Sequence, residues 1–395
     1  MTHSIVRIIQ VVAICGCVSS CAYYFLCLWS AAVFLRERVG ERRTAGVSAG
    51  VAQSMPPVSI LKPLKGVDPE IYESFRSHCV QEYPEYEIIF GVSDPGDPAI
   101  ASVEQLRHEF PDRPIRLVVC PEKLGANVKV SNLEQMLQSA RYEYLIVNDS
   151  DIRVERDYLR RITEPLSDAR VGMVTCLYRG SAAPTLGSRL ESLGISSDFC
   201  ASVLVARKLE NGLRFGLGST LAFRRANLER IGGFNPIVDY LADDYELGRR
   251  IAGLGLQVRL SDVVVDTHLP AYGFRGFWSH QLRWARGVRD ARAGGYLGLV
   301  STFGLMWALV CVAASWPAPW SWALLAAVVL LRAVVALAVG GSVLRDPQLL
   351  KNLWLLPLRD LIAVAVWIAS FAGHTIEWRG DRFELKNGQL IRIDR

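Results

Sequence analysis

Residues 8–35, beginning IIQVVAICGCVSSCAYYFLCLW, carry no charged side chain until Arg36. A membrane-spanning helix needs about 20 consecutive apolar residues, whereas the apolar core of a secretory signal peptide is about 7–15 residues long. The run is too long for the second, so a retained helix over residues 1–36 is expected. VSSC, ending at Cys21, faintly resembles a lipoprotein cleavage site, but the apolar run continues beyond it. RERVGERR follows at 36–43 and marks a cytoplasmic flank by the positive-inside rule. Residues 37–56 are expected to be a linker, its second part small and polar.

The C-terminal third is apolar again. Residues 296–316 and 320–341 are each long enough to span, with Pro317 and Pro319 at the turn between them. Arg283, Arg286, Arg289 and Arg292 precede the first of these runs and again point to the cytoplasm. A last run, 353–373, is interrupted by Arg359 and Asp360, and such charges are costly at membrane depth. It is expected either to re-enter or lie at the interface, leaving the tail cytoplasmic, or to cross, leaving it outside. The membrane region is thus 293–376 and the tail 377–395, where RFELKNGQLIRI reads as a hairpin about Asn387-Gly388. Hydrophobic residues make up 51% of the chain yet 21% are charged, so the apolar load is local. A net charge of +5 does not call for nucleic acid, and its basic residues flank apolar runs, so the membrane surface is the expected acidic partner. The nine cysteines show no metal-site spacing and are read as reduced thiols.

Between the apolar ends, residues 57–292 alternate. Strand-like VSILKPL (58–64), EIIFGVSD (87–94), IRLVVC (115–120) and YEYLIVND (142–149) are separated by helical stretches at 69–82, 98–109 and 129–141. That order implies an α/β fold with a mostly parallel sheet and helices on both faces. Ligands of such sheets bind outside the carboxyl ends of the strands, which is where Asp94, Asp97, Asp149 and Asp151 fall.

Two carboxylates one residue apart, Asp149 and Asp151, suit a hard divalent cation completed by substrate phosphates; they equally suit a turn whose acids cap a helix. GSTLAFRRANLERIGGF (218–234) has glycines that let backbone approach a ligand, or simply closes a loop. In YLADDYELGRRI (240–251), Asp243 and Asp244 stand at a helix start, where they either cap it or present a general base to a hydroxyl. HQLRWARGVR (280–289) is either a basic interfacial helix with a Trp anchor or a source of an arginine for a diphosphate.

In this order, KPLKGVDP (62–69), SDPGDPAI (93–100), NDSDIRV (148–154), ADDYELG (242–248) and HQLRW (280–284) resemble the ceramide glucosyltransferases, glycosyltransferase family 21. The resemblance covers nearly the whole chain. It implies a GT-A nucleotide-sugar fold flanked by N- and C-terminal transmembrane helices, with the catalytic domain in the cytoplasm. Position by position it implies Asp97, with Asp94 nearby, in the nucleotide pocket. It implies Asp149 and Asp151 on a divalent cation (Mg2+ or Mn2+), and Asp244 as the base that deprotonates the acceptor. Arg283 and Trp284 match the end of the family's (Q/R)-x-x-R-W, from which His280 departs at the first position. Lys129 and Asn132 are donor-pocket candidates, unless they only open a helix. Asp243 is a second candidate acid. His268 either nears the metal or closes a strand. The wording around His280 is similar to a bacterial branch that glycosylates hopanoids.

The function expected is a multi-pass, membrane-bound, inverting transfer of a hexose or N-acetylhexosamine from a UDP-sugar to a lipid hydroxyl. The leading acceptor is a hopanoid (bacteriohopanetetrol, with N-acetylglucosamine, in a bacterial inner membrane), with ceramide and glucose as the alternative. A processive polysaccharide synthase shares the D-x-D and R-W motifs but needs a polymer channel, for which two or three C-terminal helices are few. A non-catalytic membrane protein would place its acids in the membrane, whereas here they gather in the middle of the chain.

Overall fold

A computed structural model describes residues 2–47, 55–378 and 380–393. The chain forms two compact units. One, the sheet unit, comprises Arg42–Ser181, Ala206–Pro270 and Gly388–Arg395; the other, the helical unit, comprises Met1–Glu41, Ala182–Val205 and Ala271–Asn387.

The sheet unit is built on strands β1 (Val58–Leu64), β2 (Tyr86–Val92), β3 (Ile115–Val119), β4 (Tyr144–Val147), β5 (Ile152–Arg153), β6 (Val171–Ser181), β7 (Leu221–Arg224) and β8 (Gln257–His268), in the order β3-β2-β1-β4-β7-β6-β8-β5. The first four are parallel neighbours, as the alternating pattern predicts. β7 runs antiparallel to β4 and β6, and β5 antiparallel to β8. β1 and β2 are buried at every position, which is why they read as unbroken apolar runs. Helices Ile71–Cys79, Ala99–Glu109 and Val128–Leu137 connect the parallel strands. The chain builds outward from β1 to β3 and then returns to lay β4 on the other side of β1. The crevice at the carboxyl ends of β1 and β4 is therefore a topological switch point, the preferred ligand position in open α/β sheets.

The first helix runs Thr2–Val47, past the start of the linker expected at 37, and belongs to the helical unit as far as Glu41. The segment after Arg36 has no proline, and its two glycines, Gly40 and Gly46, are each tolerated in a helix, so nothing stops the helix there. The rest of that linker, 48–54, lies outside the described residues. Among the described residues three helices are long and apolar enough to cross a membrane, His3–Gly40, Pro319–Val343 and Leu349–Ser370, or four if a bent pair counts as one span. The run 296–316, expected as one span, is two helices, Ala293–Thr302 and Gly304–Ala314, bent by 49° at a short break, the geometry of a broken span or a re-entrant loop. The break at Phe303 frees carbonyls that apolar surroundings cannot satisfy. Ser20 Oγ donates to Ser301 O at 2.8 Å and Tyr24 Oη to Thr302 O at 3.3 Å, both from the first helix. Leu349–Ser370 accommodates the charges that interrupt it by pairing them. Arg332 Nη2 lies 2.9 Å from Asp360 Oδ1 and 2.5 Å from Asp198 Oδ1, and Arg359 Nη2 donates to Gln281 Oε1 at 3.2 Å.

Residues 182–205 and 271–292, expected inside the 57–292 domain, belong to the helical unit. Helices Leu186–Gly194 and Phe274–Ala291 supply Leu190, Leu193 and Phe277 to one apolar cluster with Ala336, Leu349, Leu355 and Leu356. At the C-terminus, strands Asp381–Lys386 and Gln389–Arg392 flank Asn387 and Gly388, both at positive φ as a two-residue hairpin turn requires.

Candidate active site

The loop Asn148–Asp151 leaves the end of β4 and is fastened from several sides. Asn148 is fully buried and its Nδ2 donates to Tyr158 Oη at 2.9 Å and to Ser219 O at 2.7 Å. Lys62, in the middle of buried β1, donates from Nζ to Asp149 O at 3.0 Å. Burial pushes the Lys62 ammonium down to about 7, against the pull of Asp151 and Asp149. Ser150 Oγ donates to Asp68 Oδ2 at 2.5 Å, and Ser74 Oγ to Asp151 O at 3.2 Å. Thr267, at the end of β8, donates from its hydroxyl to Asp151 Oδ2.

With its backbone held, Asp149 keeps a carboxylate that is 40% exposed, and its Oδ1 lies 2.8 Å from Lys129 Nζ. The same ammonium lies 3.0 Å from Asp243 Oδ2. Burial alone would lower the pKa of Lys129, but Asp149, Asp243 and Asp244 outweigh that and raise it. Asp244 accepts from Gly218 N at 2.7 Å through Oδ2. A Cβ on Gly218 would stand 3.0 Å from Asp149 Oδ2 and 3.4 Å from Asp244 Oδ2, so glycine is what lets this loop pass between the two acids. Burial first, then Asp243, raises the Asp244 carboxyl to about 6. Burial and Asp149 raise Asp151 likewise to about 6. Three acids from two separate segments thus surround one lysine at the switch-point edge.

The other expected residues are placed as follows. Asp97 accepts from Gly66 N at 2.9 Å and Ala99 N at 2.9 Å, and Asp94 from Gly96 N at 2.8 Å. Both are therefore engaged in the turns after β1 and β2. Buried Asn132 accepts from Ser93 Oγ at 2.8 Å and braces the end of β2. Asn127 caps the helix that carries Lys129. His268 ends β8, with a buried Nδ1 that has no hydrogen-bond partner among the described residues; burial, then Arg153, lowers its pKa. In the helical unit, His280 Nδ1 lies 3.1 Å from Oε2 of buried Glu191, and its ring stacks on Tyr272 and meets Trp284. Trp284 also meets Phe199 at 6.2 Å between ring centroids. Arg283 lies on the same helix, Phe274–Ala291.

Lys62 and Thr267 were not foreseen as site residues, whereas Gly218 opens the glycine-bearing stretch 218–234 expected to approach a ligand or close a loop. The available signal for Lys62 was a lysine inside a strand otherwise buried throughout. Thr267 gives no such signal, because its role depends on β8 pairing with β5.

The acids supply only hard oxygen donors, with one half-exposed carboxylate, and this chemistry fits a divalent cation that takes its other ligands from phosphate and water. Among the described residues no group of three or more His, Cys, Asp or Glu is placed to hold a metal by itself, so a closed protein site does not fit.

A mostly parallel sheet with acids gathered at its switch point is the arrangement of a GT-A glycosyltransferase. The solved structure of a mannosyltransferase from Pyrobaculum calidifontis, in complex with GDP-Man and Mn2+, matches the fold with a TM-score of 0.54 at 20% identity, over 92% of this chain and 99% of that one. The model of glycosyl transferase family 21 matches residues 12–391, and the chain belongs to that family. Ceramide glucosyltransferase 3 of Caenorhabditis elegans is 25% identical over 359 residues, 86% of this chain and 75% of the relative. Ceramide glucosyltransferase 1 of the same organism is 23% identical over 354 residues, 87% and 74%.

Proposed function

We propose that this glycosyltransferase moves a hexose or N-acetylhexosamine from a UDP-sugar to the hydroxyl of a membrane lipid, with inversion, and that its sheet unit faces the cytoplasm. The observation that carries the reading is the group of Asp149, Asp243 and Asp244 around Lys129. Asp244 is the proposed base: its raised pKa keeps it a competent proton acceptor near neutral pH, and Gly218 N–H orients it. Lys129 pairs with both Asp149 and Asp243 and holds the two carboxylates in place. Asp149 and Asp151 would hold a divalent cation, which would offset the charge that builds on the departing diphosphate. Asp94, Asp97 and Asn132 shape the donor end of the site through the turns they brace. The basic flanks beside the apolar helices support the cytoplasmic placement.

Two acceptors are supported by different observations. The relatives named ceramide glucosyltransferases favour ceramide with glucose. His280 departs from the family's (Q/R)-x-x-R-W, and the resemblance of the wording around it to the branch that glycosylates hopanoids favours the hopanoid reading with N-acetylglucosamine. Purified protein offered UDP-glucose or UDP-N-acetylglucosamine with each lipid, and read by lipid mass spectrometry, separates them. Asp244→Asn should keep UDP binding and lose transfer by about 100-fold or more, the scale of general-base catalysis. Asp149→Asn should lose metal-dependent UDP binding. Parental turnover in both variants would reject the assignment.

A further inference from the structure

The loop that leads into Asp243 and Asp244 is held by the other end of the chain. Leu241 N donates to Gly388 O at 3.1 Å, and Leu390 N to Asp239 O at 2.6 Å, closing a two-rung antiparallel ladder about Tyr240 and Gln389. Gly388 has φ +80°, and a Cβ there would stand 3.3 Å from Tyr240 Cδ1, so the turn residue must be small and left-handed to seat against the loop. Leu390 is buried. The opposite side of the loop is gripped by the segment before Lys129. Ala126 N donates to Asp239 Oδ1 at 2.8 Å, and Asn127 Nδ2 to Tyr240 O at 2.7 Å. Residues 239–241 are thus clamped between the lysine's helix cap and the C-terminal strand, two residues ahead of the paired acids.

The same pairing constrains the membrane path. Residues 388–395 belong to the sheet unit, so 271–387 must leave and return on one side of the membrane, crossing an even number of times. The first helix serves as a ruler. Gln10 Nε2 donates to Ala314 O, Ser20 reaches Ser301, and Arg38 Nη1 donates to Val343 O at 3.1 Å. The bent pair and Pro319–Val343 therefore run out and back along it. The end of Leu349–Ser370 comes back to Arg289, which donates to Ser370 O and Gly373 O, and to Tyr296, whose hydroxyl donates to Ser370 Oγ at 2.9 Å. Arg289 and Tyr296 stand where the chain first enters the apolar region. Leu350, Trp354, Leu358, Leu361 and Ile368 form an exposed apolar stripe on this helix at helical spacing, suited to lipid acyl chains.

We infer that residues 388–392 are a positioning strand for the loop that presents Asp243 and Asp244. Their return to the sheet unit requires residues 271–387 to cross the membrane an even number of times, met when the bent pair and Pro319–Val343 cross and helix Leu349–Ser370 does not. The strand touches no reacting atom; it sets where the base stands. The inference rests on the proposed role of Asp244.

Two sets of variants test it. Leu390→Pro removes the N–H that Asp239 accepts, while Leu390→Val keeps it. Leu390→Pro, and a chain ending at Asn387, should lower kcat about tenfold or more with UDP affinity nearly unchanged, since small misplacement of a catalytic group is costly. Leu390→Val should stay near the parent, and amide exchange at 239–241 should quicken only in the first two. Parental kcat and parental exchange in Leu390→Pro overturn the positioning role, even if the truncated chain loses UDP binding through misfolding. A parent without UDP-sugar turnover sinks the proposed function instead, and the exchange result still decides the clamp. In sealed vesicles, a protease-cleavable tag after Arg395 should share the accessibility of the sheet unit, and one inserted at 315–318 should show the opposite. Either tag on the other side overturns the membrane path.

Discussion

A lysine without solvent sits directly beneath the loop that carries the acids. Lys62 gives up hydration to donate one hydrogen bond to Asp149 O, and the nearby charges of Asp151 and Asp149 offset part of that cost. Lys62→Met keeps the volume of the side chain but leaves the carbonyl unmet. Transfer should fall about tenfold through drift of the loop, while the melting temperature changes little because a costly buried charge is also removed. Steady-state kinetics beside calorimetry checks both halves. The pH dependence follows from Asp244. Its carboxyl is raised to about 6 by burial and by Asp243, with Asp149 adding to the rise and Lys129 opposing it. A base acts only when ionised, so kcat/KM should climb with pH through about 6 and fall away below it. A profile flat from pH 5 to 8 would place the base elsewhere.

At the scale of elements, the apolar helices carry their charges only because partners converge on them. Arg332 meets Asp360 on the next helix, and Asp198 and the Ser197 carbonyl on the segment Ile195–Phe199. Arg332→Leu leaves Asp198 and Asp360 with only Arg359, 3.8 Å from Asp198 Oδ2, as a nearby positive partner, and breaking a buried pair from one side costs about 3–5 kcal/mol. The protein in detergent should therefore melt markedly lower, and Asp360→Asn, which leaves Asp198 in place, should cost less. Equal melting of all three proteins would make the network dispensable. The sequence shows Arg359 and Asp360 as an interruption in an apolar run. Their compatibility with a helix through Ser370 depends on Arg332, 28 residues upstream, and no local pattern carries that information. The break at Phe303 is similar. The run 296–316 is uniformly apolar, and the hydroxyls that satisfy its freed carbonyls come from Ser20 and Tyr24, 281 and 278 residues away.

For the molecule as a whole, the parallel half of the sheet was legible because β1 to β4 are short apolar runs separated by amphipathic helices, and periodicity is a local property. β1 begins and ends where the run VSILKPL does. The antiparallel half was less legible. β5 is two residues long, and it exists because β8 lies beside it. The family assignment followed from five short motifs in order, and the match over residues 12–391 bears it out. By itself the sequence determined the apolar ends, the alternation of strand and helix, and the placement of acids just past strand ends, since each depends on residues near one another in the chain. Only the tertiary structure decided that Asp149, Asp243 and Asp244 share one lysine, that Asp94 and Asp97 brace turns, and that the last residues return to grip the loop at Tyr240. Those outcomes depend on hydrogen bonds and charges between segments separated by up to about 150 residues, where burial makes each unmet group costly and so selects one arrangement.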